Sequence, residues 1–234
     1  MIKLDEMEKN QADNKSDSQK FSEITQNYAQ LVSLAADGFG FEMGSNLMFD
    51  RFCEIACPHI EKIKNKKDLD IFIKGFVYSY RGNQKILDLI SFKIQQIVEE
   101  QYNYTVQING DKETLDQLSE SGQIFSVTEL AQISKSLYMA EYQNKKLEFL
   151  IEKFIVTQLK DVGRITLEEI LECVKSYTIT RIGSRQIYKL LEIIIRHRFE
   201  DLKKNQEICQ KIYVFYAKSG LCSSELLEQL ELQQ

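Results

Sequence analysis

Imidazole or thiolate chemistry in these 234 residues would have to come from two histidines, His59 and His197, and five cysteines, Cys53, Cys57, Cys173, Cys209 and Cys222. The tightest grouping is Cys53-Glu-Ile-Ala-Cys57-Pro58-His59, in which the two cysteines fall one helical turn apart on one face. A structural zinc site takes four ligands, usually from two paired clusters, and no second cluster accompanies this one. Two small core residues ahead of a proline kink is the reading these residues carry instead. His197 lies between Arg196 and Arg198, whose charges oppose an imidazolium, so a solvated basic helix face suits it better than acid–base duty. A phosphate-cradling glycine loop, a nucleophile elbow and an H-E-x-x-H helix are all missing from the sequence. The carboxylate pair Glu168-Glu169 sits where a helix N-terminal dipole favours negative charge. No catalytic residue, cofactor or metal is therefore expected.

Two basic clusters remain as candidate partner-binding residues. Lys62, Lys64, Lys66 and Lys67 form a run between two predicted helices, and Arg185, Lys189, Arg196 and Arg198 lie along a third. Charges converging on phosphates beside Tyr188 or Phe199 would suit RNA. The whole chain carries a net charge of -5, so no global basic field recruits nucleic acid, and a solvated face or the dock of an acidic partner is the reading preferred to RNA.

The elements that must position these residues follow from composition and period. Hydrophobic residues at 43% and charged residues at 28% fit a folded protein, while ten Gly and one Pro supply too few turns for an all-β sandwich or barrel. Apolar residues recur at three- and four-residue spacing from Phe21 onward, and predict an all-α fold with helices over 21–36, 47–63, 67–81, 84–102, 127–141, 144–160, 166–179, 184–204, 205–218 and 223–231. Ser126 with Glu129, and Thr166 with Glu169, have the spacing of capping boxes. Residues 103–124 break the rhythm and read as an inserted loop, with a strand-like alternation over Tyr104 to Ile108 and a helical turn near Leu115 to Leu118. Residues 1–20 are too polar to order alone; they are expected to order only on a partner, with Ile2, Leu4 and Met7 as apolar anchors. The acidic N-terminus is wrong for a secretory signal or a cleaved mitochondrial presequence, no run of ~18 apolar residues would cross a membrane, and scattered cysteines predict reduced thiols.

Slid on itself, the chain aligns 67–94 with 128–155 and with 168–195 in seven apolar columns. They are Leu69/Leu130/Ile170, Phe72/Ile133/Cys173, Phe76/Leu137/Tyr177, Ile86/Leu147/Ile187, Leu89/Leu150/Leu190, Ile90/Ile151/Leu191 and Ile94/Ile155/Ile195. A unit of roughly 40 residues, one helix pair, is in the range of helical solenoids, with a weaker copy begun by Ile208, Ile212 and Phe215 and an atypical one at 21–63. The expected architecture is a solenoid-like stack of about five antiparallel helix pairs in one domain, 21–234; an irregular helical bundle is the alternative.

The units Leu69-Asp-Ile-Phe-Ile-Lys-Gly-Phe76 with Lys85-Ile-Leu-Asp-Leu-Ile90, and Glu129 to Leu137 with Lys146 to Ile151, resemble the degenerate helical repeats of organellar proteins related to the FAST kinase and RAP-domain group. The resemblance covers roughly 67–218 and does not extend to that family's C-terminal nuclease-like domain. It implies a mitochondrial setting, with the cytoplasm as the alternative. It also implies a structural post among other protein subunits of a large assembly, a respiratory complex, ATP synthase or mitoribosome, or else RNA binding.

Overall fold

The computed structural model describes residues 46–80, 82–107, 124–163 and 165–233, and every regular element among them is helical. They are α1 (Asn46–Lys62), α2 (Lys66–Phe72, continued by a π-helical turn at Ile73–Val77), α3 (Gln84–Gln107), α4 (Val127–Met139), α5 (Lys145–Leu159), α6 (Leu167–Thr180), α7 (Arg185–His197), α8 (Phe199–Lys204), α9 (Gln206–Ser219) and α10 (Ser224–Glu231). The chain divides into two compact units, Met1–Ile90 and Ser91–Gln234, with the division inside α3. The predicted tail 1–20, with Ile2, Leu4 and Met7, and the predicted helix 21–36 lie outside the described residues.

Most of the helices begin where a short polar side chain takes over an orphan backbone N–H. Asn65 accepts from the amide of Asp68, Asn83 from Ile86, Asn144 from Leu147 and Asn205 from Ile208. Ser126 and Thr166 form complete capping boxes with Glu129 and Glu169. The turn closing the first helix of each pair holds one residue in the left-handed region: Tyr80, Glu141, Arg181 and Gly220, with φ of 57°, 56°, 57° and 65°. The carbonyls that receive the closing N–H are those of Phe76, Leu137, Tyr177 and Tyr216.

In the first unit α1 buries Cys53, Ala56, Cys57 and Ile60 while Pro58, inside the helix, is exposed. The rings of Phe72 and Phe76 stack with centroids 6.5 Å apart. In the second unit α4 packs on α6 and α6 on α9, while α5 packs on α7. Each of the pairs α4/α5, α6/α7 and α9/α10 also closes on itself. Fully burying each Leu, Ile or Val of these seams contributes about 1.5–3 kcal/mol. Six of the seven aligned columns are buried in all three members, and the seventh, Leu89/Leu150/Leu190, is half-buried in all three. The further copy takes a different register from the expected one: Cys209, Ile212 and Tyr216 are the buried residues in step with Ile170, Cys173 and Tyr177, and Phe215 is half-buried.

Two boundaries differ from the expectation. The strand-like stretch from Tyr104 is helical as far as Gln107, because the buried stripe Ile90, Ile94, Val98 and Gln101 carries the helical period onward. Gln101 then exchanges two hydrogen bonds with the backbone of Phe125, at 2.8 and 3.0 Å, which fixes the entry to α4. The predicted helix 184–204 breaks at Arg198 into α7 and α8. Its guanidinium donates to the carbonyls of Ile165 (2.7 Å) and Val162 (3.3 Å) and pairs with Asp201 (2.6 Å).

Candidate functional site

The outward faces of α5 and α7 carry side chains that the core period does not require. Phe149 and Lys153 on α5 and Lys160 at its C-terminal cap are exposed along one side of the helix, with the buried Val156 beneath them. Arg185, Lys189, Leu190 and Ile193 make the matching stripe on α7. A groove lies between them, lined at one end by Tyr102, Phe149, Lys153 and Val156 and at the other by Leu190 and Ile193, with Lys160 and Gln186 common to both ends. Phe149 is 70% exposed and Ile193 59%, so two large apolar side chains stand in water beside four cations.

The position of each wall is set from beneath. Leu147, Ile151 and Ile155 anchor α5 in the core and Ile187, Leu191 and Ile195 anchor α7, so the stripes on the opposite face must point outward. The ammonium of Lys153 sits 4.3 Å from the ring centroid of Tyr102, which ties α3 to the rim. Glu152, the single carboxylate of the lining, is consumed internally: one oxygen accepts the backbone N–H of Ser184 at 3.0 Å and the other accepts that serine's hydroxyl. The same arrangement recurs one pair further on, where Glu192 accepts the Ser223 N–H at 2.7 Å and its hydroxyl at 3.1 Å. In both, a carboxylate on one helix caps the start of the next, a charge-assisted bond of the stronger kind.

The basic residues singled out in the sequence separate in the structure. Arg185 and Lys189 line the groove, whereas Arg196 donates to Ser223 (2.9 Å) and Gln229 (3.3 Å). Arg198 is engaged by backbone carbonyls, as described. Both of these arginines hold the fold. Lys62, Lys64 and Lys67 are exposed in the first unit, but Lys66 is only 5% exposed, with its ammonium 3.0 Å from Asp70, so it is withdrawn from the run. Tyr102, Phe149, Lys153, Lys160 and Ile193 were not among the expected residues. Phe149 and Ile193 did carry a signal, being apolar side chains out of phase with the buried columns.

The described thiols are built into the interior. Burial raises Cys53, Cys57, Cys173 and Cys209, and pushes Cys222 up to about 11, with Glu192 adding to the effect. They stay protonated at neutral pH and are poor nucleophiles. Among the described residues no three His, Cys, Asp or Glu side chains stand where they could share a metal ion, and no helix is long and apolar enough to cross a membrane. The groove itself offers cations and hydrocarbon, which can bind but hold no nucleophile with a base beside it. Comparison with protein-family models, with curated proteins and with solved structures returns no match to this chain.

Proposed function

We propose that the chain is a solenoid-like stack of helix pairs whose task is attachment: a non-catalytic accessory subunit that holds other proteins within a larger assembly. The observation that carries this reading is a recurrent trio of cap, left-handed turn and second cap. Asn65, Tyr80 and Asn83; Ser126, Glu141 and Asn144; Thr166, Arg181 and Ser184; and Asn205, Gly220 and Ser223 keep one spacing, the turn fifteen and the second cap eighteen residues after the first. Four hairpins with one cap-to-cap spacing, the last three linked by the Glu152–Ser184 and Glu192–Ser223 bonds, suit a stack of nearest neighbours. Such stacks present long surfaces to partners, and the groove between α5 and α7 is a surface of that kind. The likeness of the helix pairs to organellar repeats supports a mitochondrial setting.

RNA binding is the second reading, favoured by the cations set beside Tyr102 and the exposed Phe149. The aliphatic side chains of Leu190 and Ile193 at the other end suit apolar side chains better than bases, which favours a protein partner. Isolation of the tagged full-length chain from a native, cross-linked extract, with quantitative mass spectrometry before and after ribonuclease, tests the proposal. A fixed set of proteins in constant ratio, surviving ribonuclease, is expected. Recovery of the chain alone, or loss of the set on ribonuclease treatment, would overturn it.

A further inference from the structure

We infer that the groove between α5 and α7 receives an acidic amphipathic helix of a partner protein, with the partner's apolar edge on Phe149, Leu190 and Ile193 and its carboxylates meeting Lys160, Arg185 and Lys189. The inference rests on the attachment reading and names the chemistry of the partner. Three observations lead to it. Lys160, Arg185 and Lys189 form no ion pair with another described residue, while Glu152, which could have neutralised them, spends both oxygens on Ser184. Lys153, Lys160, Arg185 and Lys189 thus outnumber the one carboxylate of the lining, and the complement of this positive excess is a row of carboxylates.

Hydrocarbon alternates with this charge. Phe149 and Ile193 stand exposed beside the cations, so a uniformly charged polyanion would leave them in water, whereas a helix with one apolar and one acidic edge satisfies both. Length agrees as well. From Phe149 to Lys160, at the C-terminal cap of α5, the wall covers twelve residues, a rise of roughly 16 Å, or about three turns of a bound helix.

The test uses the full chain and a dye-labelled synthetic 18-residue peptide carrying Leu at three- and four-residue spacing and Glu on the remaining outer positions, followed by fluorescence anisotropy. Expected is binding at least tenfold tighter than that of a scrambled peptide of the same composition. Binding should also weaken at least tenfold in the double variant Arg185→Glu with Lys189→Glu, and again in Phe149→Ser, with unchanged far-ultraviolet circular dichroism. These side chains are exposed, so the fold should survive; a variant that loses its helical signal is replaced by Lys189→Gln or Ile193→Ser, read in the same way. Equal affinity for the scrambled peptide, indifference to the variants, or tighter binding of a 12-nucleotide single-stranded RNA or of phosphatidylserine-containing vesicles would overturn the inference. The two proposals fail separately. If the double variant still recovers the native protein set in full, the groove is not the docking site while the attachment role stands; if the peptide binds but no native set is recovered, the converse holds.

Discussion

Three residues with side chains, Tyr80, Glu141 and Arg181, occupy the left-handed backbone region that glycine alone enters without cost. Each pays about 1 kcal/mol to do so. At Glu141, which is exposed, replacement by Gly should remove that cost and return part of it as unfolded-chain entropy, for a net gain of about 0.5 kcal/mol. Thermal melting of Glu141→Gly should therefore shift up by about 1–2 °C, and Gly220→Ala should move the opposite way by about 1 kcal/mol. A fall for Glu141→Gly would mean that its side chain matters more than its backbone. Buried acids give a second handle. Burial holds the thiol of Cys173 and the phenols of Tyr177 and Tyr216 well above their ordinary values. The folded state thus favours the neutral forms, and their contribution is complete below the unfolded values, about 8.5 for Cys and 10 for Tyr, and lost progressively as pH rises from those toward the higher folded values. The melting temperature should be flat from pH 7 to 8 and decline from about pH 9. The Tyr216 hydroxyl has no hydrogen-bond partner among the described residues, and Phe76 and Leu137 fill the same seat elsewhere. Tyr216→Phe should fold at least as stably at neutral pH and decline less steeply above pH 9. Destabilisation at pH 7 would contradict the equivalence of those seats.

At the scale of the helix, much could be read in advance. Apolar period and polar caps located α1, α2, α4 to α6, α9 and α10 and the starts of α3 and α7 to within a few residues, and both expected capping boxes are present, because these are local signals written in adjacent side chains. The left-handed turns were hidden, since only Gly220 among them is the residue type that announces such a conformation. The break at Arg198 was equally hidden, because it depends on carbonyls of Val162 and Ile165 more than thirty residues away. Period alone also draws the core face too wide: Leu89, Leu150 and Leu190 belong to the apolar columns yet sit half-buried beside fully buried Ile90, Ile151 and Leu191. Leu147→Asp should accordingly abolish cooperative melting, since burying an unpaired carboxylate costs several kcal/mol, while Leu150→Asp should remain folded with a lowered midpoint. Identical melts for the two would refute the assigned inward face. The groove was half legible. Arg185 and Lys189 stood out as charge, but their partners in the site come from α3 and α5, and only packing brings those together. Glu192→Ala tests the bond between successive pairs. It should cost about 1–3 kcal/mol, the range of hydrogen bonds to a charged group, and speed amide exchange at the start of α10. No change in the exchange of α10 would mean the carboxylate does not cap it.

At the scale of the whole molecule, helix pairs of the second unit support one another by neighbour contacts, and attachment is the role proposed for the surface they form. In the second unit, the α6/α7 pair has a neighbour on either side, α4/α5 and α9/α10, so it should be the last to open. Native-state hydrogen exchange of the full chain in low denaturant reads this ordering directly. Amides of α9 and α10 should exchange through an opening of lower free energy and smaller denaturant dependence than those of α6 and α7. If instead all protected amides of α4 to α10 exchanged with one free energy and one denaturant slope, the chain would open as a single undivided bundle, and the stack of neighbouring pairs would be wrong.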